Sequence, residues 1–380
     1  MKLLVFLTVA ACSTHAEDIS GLVNPNVRFS GDLYDAFAQF DTTILGPFSI
    51  QAVVAVTESG TKDTTAKEIM NNMLSEVYDW QVQDTYGSAM LTVPANITTK
   101  MFSDPGISIT DDYKETESTV YGGSIENMEF SNAQIAAANL NHWLQEQSND
   151  YLNSSFSSTD FSENIASVTL NTLFKKITWA NPFSADRTVL ANYTYYNSNG
   201  RLTYESVYMM TQEPVIYNYY ESTSLTATFL EVPFEDPDTT LTIVLPDTVN
   251  GLSRVEQRIS DVIKTQDYIQ RPVQLSLPRF QGLDGPRSLK EIMQSKFNVN
   301  EAFGTKADLS GIAGFPGDLA INDVLHSSYI TFGEDGVEAV SEAAVTTKSF
   351  PPRIFEANHP FLFYIKYKGV VLFIGKYVHQ

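Results

Sequence analysis

Near residue 167 the texture of this 380-residue chain changes, and that change constrains the fold more than any single motif. Upstream, apolar residues recur at helical spacing. Within 27–75, Phe29, Leu33, Phe37 and Phe40 mark one helical face, and 48–57 (FSIQAVVAVT) reads as an apolar helix. Gly60, Thr61 and Lys62 interrupt that pattern before it resumes over 64–75. Residues 88–96 alternate apolar and polar, which predicts a strand. Residues 132–147 predict an amphipathic helix with Ile135, Ala138, Leu140, Trp143 and Leu144 toward a core. Downstream, the runs 167–175, 224–234, 240–246, 272–280, 361–366 and 370–377 are short, rich in β-branched or aromatic residues, and bounded by Pro, Gly, Asp or Asn. Two helices, near 251–264 and 288–297, interrupt them. Helices first and strands later predict an α+β fold with large sheets. No repeat or low-complexity linker divides the chain. One stretch, 336–354 (GVEAVSEAAVTTKSFPPRI), is small, polar and Pro-ended, and lies between a strand-like segment and the C-terminal strands.

The N-terminus has the form of an address. Met1 and Lys2 give a short positive region, residues 3–11 (LLVFLTVAA) an apolar run too short to cross a bilayer, and Thr14 and Ala16 the small residues a signal peptidase reads. The prediction is a signal peptide over 1–16, a mature domain over 17–380, and a secreted, extracellular, soluble protein with no membrane partner. Cys12, the only cysteine, lies inside the signal segment. The mature chain is therefore expected to have no disulfide, no thiolate metal site and no cysteine nucleophile. Its stability must come from its core, which a chain of this length can build. Asn96, Asn153 and Asn192 each open an Asn-x-Ser/Thr sequon and are candidate glycan sites.

Charge and missing motifs narrow the function. Lys and Arg number 24 against 45 Asp and Glu, a net charge of −21, so nucleic acid and heparin-like polyanions are not expected partners. No nucleophile elbow, zinc-protease helix, phosphate-binding loop or dinucleotide fingerprint occurs. His142, His326, His359 and His379 remain after signal removal, and none has a second His at ligand spacing. Each reads as a structural hydrogen-bonder rather than a catalyst. No metal and no cofactor is expected, and an acidic hydrolase has no motif behind it.

Several motifs then agree in order. They are Gly46-Pro-Phe-Ser-Ile50, Asn171-Thr-Leu-Phe-Lys175, Trp179-Ala-Asn-Pro-Phe183, Val207-Tyr-Met-Met210 and Leu230-Glu-Val-Pro-Phe234. Leu275-Ser-Leu-Pro-Arg-Phe280, Ala307-Asp-Leu-Ser-Gly-Ile312, Asn322-Asp-Val-Leu-His326, Glu334-Asp-Gly-Val-Glu-Ala339, Asn358-His-Pro-Phe-Leu-Phe363 and Leu372-Phe-Ile-Gly-Lys376 follow. With these the chain resembles the serpins, inhibitors of serine proteases, over nearly its whole mature length. Gly46 stands where the family pattern has Ser. The acidic, cysteine-free, short-loop character is similar to secreted insect serpins, including those of moth silk glands.

The resemblance implies a serpin fold: one domain, three β-sheets, about nine helices and an exposed reactive-centre loop at about 336–354. It also implies a suicide-substrate inhibitor. A protease cleaves the loop and is held as an acyl-enzyme, and the loop then inserts into the central sheet and drags the protease with it. Glu334 and Gly336 open the hinge. A strand buries alternate side chains, so insertion from Gly336 would turn Val337, Ala339, Ser341 and Ala343 inward. None of those carries charge, while Glu338 and Glu342 face water, so no carboxylate is desolvated. Val340 and Glu342 depart from the family's small residues. Ser49, Asn171 and His326 match the polar shutter below the central sheet, and Trp179 the breach where the loop enters. Counting from the hinge places the scissile carbonyl at Phe350, before Pro351, and counting from the C-terminal side places it at Ser349. A trypsin-like enzyme would choose Lys348. Thr347, Lys348, Ser349 and Phe350 are therefore the bond candidates, and the target a trypsin-like serine or papain-like cysteine protease held covalently by a monomer. The alternative is a non-inhibitory binding or storage protein on the same fold.

Overall fold

The computed structural model describes residues 19–38, 43–77, 81–148, 156–161, 165–176, 178–335 and 351–379. The signal segment, Asn153, the hinge residues Gly336, Val337, Ala339, Ser341 and Ala343, and the bond candidates Thr347, Lys348, Ser349 and Phe350 lie outside the described residues.

The first half is helical: α1 (Val23–Phe37), α2 (Pro47–Glu58), α3 (Asp63–Asn72), α4 (Val82–Thr92), α5 (Asp111–Thr119) and α6 (Ala133–Gln147), with short strands β1 (Thr43–Leu45), β2 (Asn96–Ser103) and β3 (Ser124–Asn127) between them. The second half runs β4 (Ser167–Lys176), β5 (Val189–Tyr196), β6 (Leu202–Thr211), β7 (Val215–Ser222), β8 (Ala227–Pro233) and β9 (Thr239–Pro246). Helices α7 (Leu252–Glu256) and α8 (Ile259–Val262) lead to β10 (Ile269–Pro278), β11 (Phe280–Ser288) and α9 (Lys290–Ser295). Strands β12 (Asp323–Phe332), β13 (Arg353–Glu356), β14 (Phe361–Tyr367) and β15 (Val370–Tyr377) close the chain. Nine α-helices thus occur among the described residues.

The strands form a five-stranded sheet, β11-β12-β4-β2-β3, and a ten-stranded ladder, β1-β15-β14-β9-β8-β7-β10-β6-β5, with β13 beside β10. The ladder divides at β10, which pairs with β7 as far as Val273 and with β6 from Ser276. Split there, it gives two of the three sheets and the five-stranded sheet is the third. Strands β14 and β15 are covered on both faces, which is why they read as nearly continuous apolar runs. Helix α2 is buried along all of its residues and packs on β15, β4 and α4. A helix apolar all round is stable only when enclosed, and Pro47 at its first turn presets the backbone angle there.

Two expectations are corrected. Residues 88–96 are not one strand: α4 runs to Thr92 and β2 begins at Asn96. Burial of Val82, Tyr86 and Ala89 at helical spacing outweighs the short alternation near Met90. Helix α6 forms as read, but Ile135 and Ala138 face outward. Its inward face is Ala136, Leu140, Trp143 and Leu144, which pack on Phe102, Phe130, Val168 and Leu170.

Candidate functional site

The seam between β4 and β12 is the only parallel pairing in the middle of the five-stranded sheet among the described residues. It runs from Asp323 opposite Val168 to Thr331 opposite Lys176. The two strands are far apart in sequence, so no turn fixes them, and the slanted bonds of a parallel pair are slightly weaker than antiparallel ones.

The register sets His326 opposite Asn171 on one side of the seam, and Thr99 of β2 opposite Asn171 on the other. The Asn171 side chain joins four elements. Its Oδ1 accepts from Ser49 Oγ of α2 at 2.6 Å and from His326 Nδ1 at 2.7 Å. Its Nδ2 donates to Thr99 Oγ1 at 3.0 Å. On the far side of the ring, His326 Nε2 accepts from the Gly46 N–H at 3.2 Å and from Ser328 Oγ at 2.7 Å. With one nitrogen donating and the other accepting, the imidazole is neutral. Burial pushes its pKa down from 6.5 to about 3, in agreement with that tautomer. Gly46 matters here: a Cβ at that position would lie 2.6 Å from Leu173 Cδ2 and 3.1 Å from the His326 ring. A side chain at this position would crowd Leu173 and press on the imidazole ring.

The top of the seam is held by different chemistry. Trp179 is buried among Phe183, Phe234 and Phe332. Its Nε1 donates to Gly333 O at 2.7 Å and its backbone N–H to Asp335 O at 3.2 Å. Glu334 accepts from Thr188 Oγ1 at 2.9 Å and pairs with Arg279 at 3.4 Å. Arg279 in turn lies over the Tyr208 ring, 4.5 Å from its centroid. The chain is therefore tied just before residue 336. The polar lock at His326 sits about 23 Å lower along β12, at about 3.3 Å per residue.

Ser49, Asn171, His326, Trp179 and Glu334 thus lie along one seam. Thr99, Ser328, Thr188 and Arg279 complete it and were not legible beforehand, because their membership depends on strand register. Of the other histidines, His359 bonds Asn358 and the Pro246 carbonyl, and His142 pairs with Glu146 on the surface. Asn96 and Asn192 are exposed. Among the described residues no cluster of His, Cys, Asp and Glu could hold a metal, and no helix is long and apolar enough to cross a membrane.

A five-stranded sheet with a parallel seam at its centre, a ten-stranded ladder and nine α-helices among the described residues define an α+β architecture. Residues 24–380 match the serpin (serine protease inhibitor) family, and the chain belongs to it. It is 26% identical over 293 residues to antichymotrypsin-2 of Bombyx mori, covering 74% of this chain and 76% of that one. It is 25% identical over 398 residues to human serpin B3, covering 94% and 99%. The structure of Serpin48, a highly specific serpin of the insect Tenebrio molitor, superposes with a TM-score of 0.85 at 28% identity, covering 96% of this chain and all of that one. Uncleaved ovalbumin has a TM-score of 0.84 at 21% identity, a likeness of fold.

Proposed function

We propose that the protein is a secreted protease inhibitor that acts as a suicide substrate. A trypsin-like serine or papain-like cysteine protease attacks the carbonyl of one residue in 347–350. Its nucleophile forms an ester or thioester to that carbonyl, and the peptide bond breaks with a proton passing to the new amino terminus. The segment after Gly336 then turns back and enters the β4–β12 seam antiparallel to both strands. One parallel ladder is replaced by two antiparallel ones, which favours the inserted state. Val337, Ala339, Ser341 and Ala343 carry no charge inward, so burial of the new strand is not opposed by desolvation. The tethered protease is carried along and trapped before its acyl bond hydrolyses.

The observation that carries this reading is the Asn171–His326 lock across a parallel seam, whose upper end leads into an uncharged insertion face. The relatives named as protease inhibitors support it. The remaining features are a single domain over 17–380 released by cleavage after about Ala16, a monomeric state, and glycans at Asn96, Asn153 and Asn192. The test is incubation with a panel of trypsin-like and papain-like proteases. A covalent adduct that survives SDS, with its mass locating the bond within 347–350, is expected. Loop cleavage with full turnover, no adduct and no rise in melting temperature would leave the non-inhibitory reading in its place.

A further inference from the structure

Strands β5 and β6 form a hairpin at the end of the ten-stranded ladder with an inverted outer face. The register pairs Leu190 with Tyr208, Asn192 with Ser206, Thr194 with Tyr204, and Tyr196 with Leu202. All eight lie on one face, because side chains alternate along a strand. The opposite face buries Tyr193, Val207 and Met209. The outer face of an antiparallel pair is ordinarily polar. Here it exposes Leu190 (63%), Tyr196, Leu202 (59%), Tyr204 (70%) and Tyr208. Five large apolar side chains in one stripe are more than scattered surface residues, and such a stripe calls for something to cover it.

The second of the four rungs, between Leu190–Tyr208 and Thr194–Tyr204, is the small polar pair Asn192 and Ser206. Asn192 is exposed and opens the sequon Asn192-Tyr193-Thr194. Directly opposite residues lie about 5 Å apart and diagonal ones about 7 to 8 Å, so Tyr204 and Tyr208 flank the Asn192 side chain from the neighbouring strand. Ser206, directly opposite Asn192, separates the two tyrosines along β6.

We propose that Asn192 carries an N-linked oligosaccharide whose first sugars lie along the Leu190–Tyr204–Tyr208 stripe and cover it. The inference rests on the secretory reading given above. The Asn192 amide nitrogen displaces the pyrophosphate of a lipid-linked oligosaccharide, forming the bond to C1 of the first sugar. The amide loses one proton and the lipid pyrophosphate departs. The apolar face of the sugar ring meets the tyrosine faces, and the bulk of the glycan keeps the hairpin solvated. The covered stripe stands beside the root of the reactive loop, because Tyr208 contacts Arg279 and Arg279 pairs with Glu334. The glycan thus limits how a protease approaches the loop from this side.

The test uses the full chain made in a eukaryotic secretory host. Terminal sequencing of the secreted protein reads the secretory claim on its own. Peptide mass spectrometry after amidase release, which converts a glycosylated Asn to Asp, reads occupancy at Asn192. Amidase treatment of the folded protein then compares release at Asn192 with release at Asn96. Slow release at Asn192, accelerated about tenfold or more in Leu190→Ser/Tyr204→Ser, is the expected result. A secreted chain with unmodified Asn192 overturns the proposal and leaves secretion standing. Dimerisation of that unmodified form in sedimentation would identify a second copy as the occupant instead. Occupancy with fast release in both proteins shows a glycan projecting into water, and overturns the contact. A chain retained in the cell defeats both the secretory reading and the glycan.

Discussion

Asn171→Ala is the substitution that most directly tests the lock. Its side chain makes three hydrogen bonds, to Ser49, His326 and Thr99, all buried. Each contributes about 1 kcal/mol net, and each buried donor left without a partner costs about 1 to 3 kcal/mol. Two donors, Ser49 Oγ–H and His326 Nδ1–H, are stranded by the change. The two stranded donors and the lost Thr99 bond together give an expected loss in unfolding free energy of about 3 to 7 kcal/mol, a large part of the stability of an ordinary domain. Only one of the three bonds, that to His326, crosses the seam. Seam opening should thus become easier by about 1 to 3 kcal/mol, or about 5- to 150-fold in rate. Urea unfolding measures the first quantity. Annealing of a synthetic peptide of residues 337–349 into the uncleaved protein, followed by native gel and by the rise in melting temperature, measures the second. Lower stability with unchanged peptide uptake would show that Asn171 braces the scaffold without holding the strands together, and would refute the lock.

Three further outcomes follow from charge and burial. His326 is held neutral in the fold with its pKa lowered to about 3, whereas the unfolded chain binds a proton near 6.5. Its contribution to stability is complete above about pH 6.5 and is lost as pH falls toward 3, at up to about 1.4 kcal/mol per unit. Urea midpoints against pH should show this slope in the wild type and lose it in His326→Gln. Glu117 behaves in the opposite sense: both carboxylate oxygens are buried without a hydrogen-bond partner among the described residues, and burial raises its pKa from 4.5 to about 7. Stability therefore falls as pH rises from about 4.5 to 7, by about 3 kcal/mol at most. Glu117→Gln should raise the melting temperature at pH 8 and leave it unchanged at pH 4. Under the proposed insertion, Val337→Glu would place a carboxylate on the inward face of the new strand. Cleavage should continue while the covalent adduct falls at least tenfold, as read by gel and by the ratio of turnover to inhibition.

The parts of the fold legible in the sequence are those where a single period meets a single environment. Strands β14 and β15 are enclosed on both faces and announce themselves as apolar runs. Helix α2, buried all round, does the same. Helix α6 was legible as a helix but not in its rotation, because Ile135 and Ala138 fit a helical stripe as well as Ala136 and Leu140 do. Strands β5 to β7 gave no clean alternation to read, since β5 and β6 carry apolar residues on their outer face as well as their inner one. At the site, Ser49, Asn171, His326 and Trp179 came from motif order. Thr99, Ser328 and Arg279 could not be found that way, for register is a property of the assembled sheet and not of any one segment.

The composition of the seam favours the parting that the proposed mechanism requires of a sheet so well packed elsewhere. A strand enclosed on both faces is ordinarily a nearly continuous apolar run, as β15 is from Val370 to Ile374. Strand β12 instead buries His326, Ser327 and Ser328 in succession, opposite Asn171 and Thr172 on β4. The Ser327 hydroxyl is buried with no partner among the described residues, an unmet cost at the centre of the pairing. Apolar contacts would hold the strands together through many small attractions that have to be lost together. A few directed hydrogen bonds hold them in register, and under the proposed mechanism fewer contacts have to be lost for the strands to separate. An entering strand supplies new backbone partners to both sides at once. The polar seam thus lowers the stability of the closed sheet and the barrier to opening it, while β14 and β15 keep the rest of the scaffold intact. A chain with an apolar residue at 327 should unfold at higher urea concentration and take up loop peptide more slowly. If such a variant were both more stable and faster to accept the peptide, the polar residues would have to be explained by something other than opening.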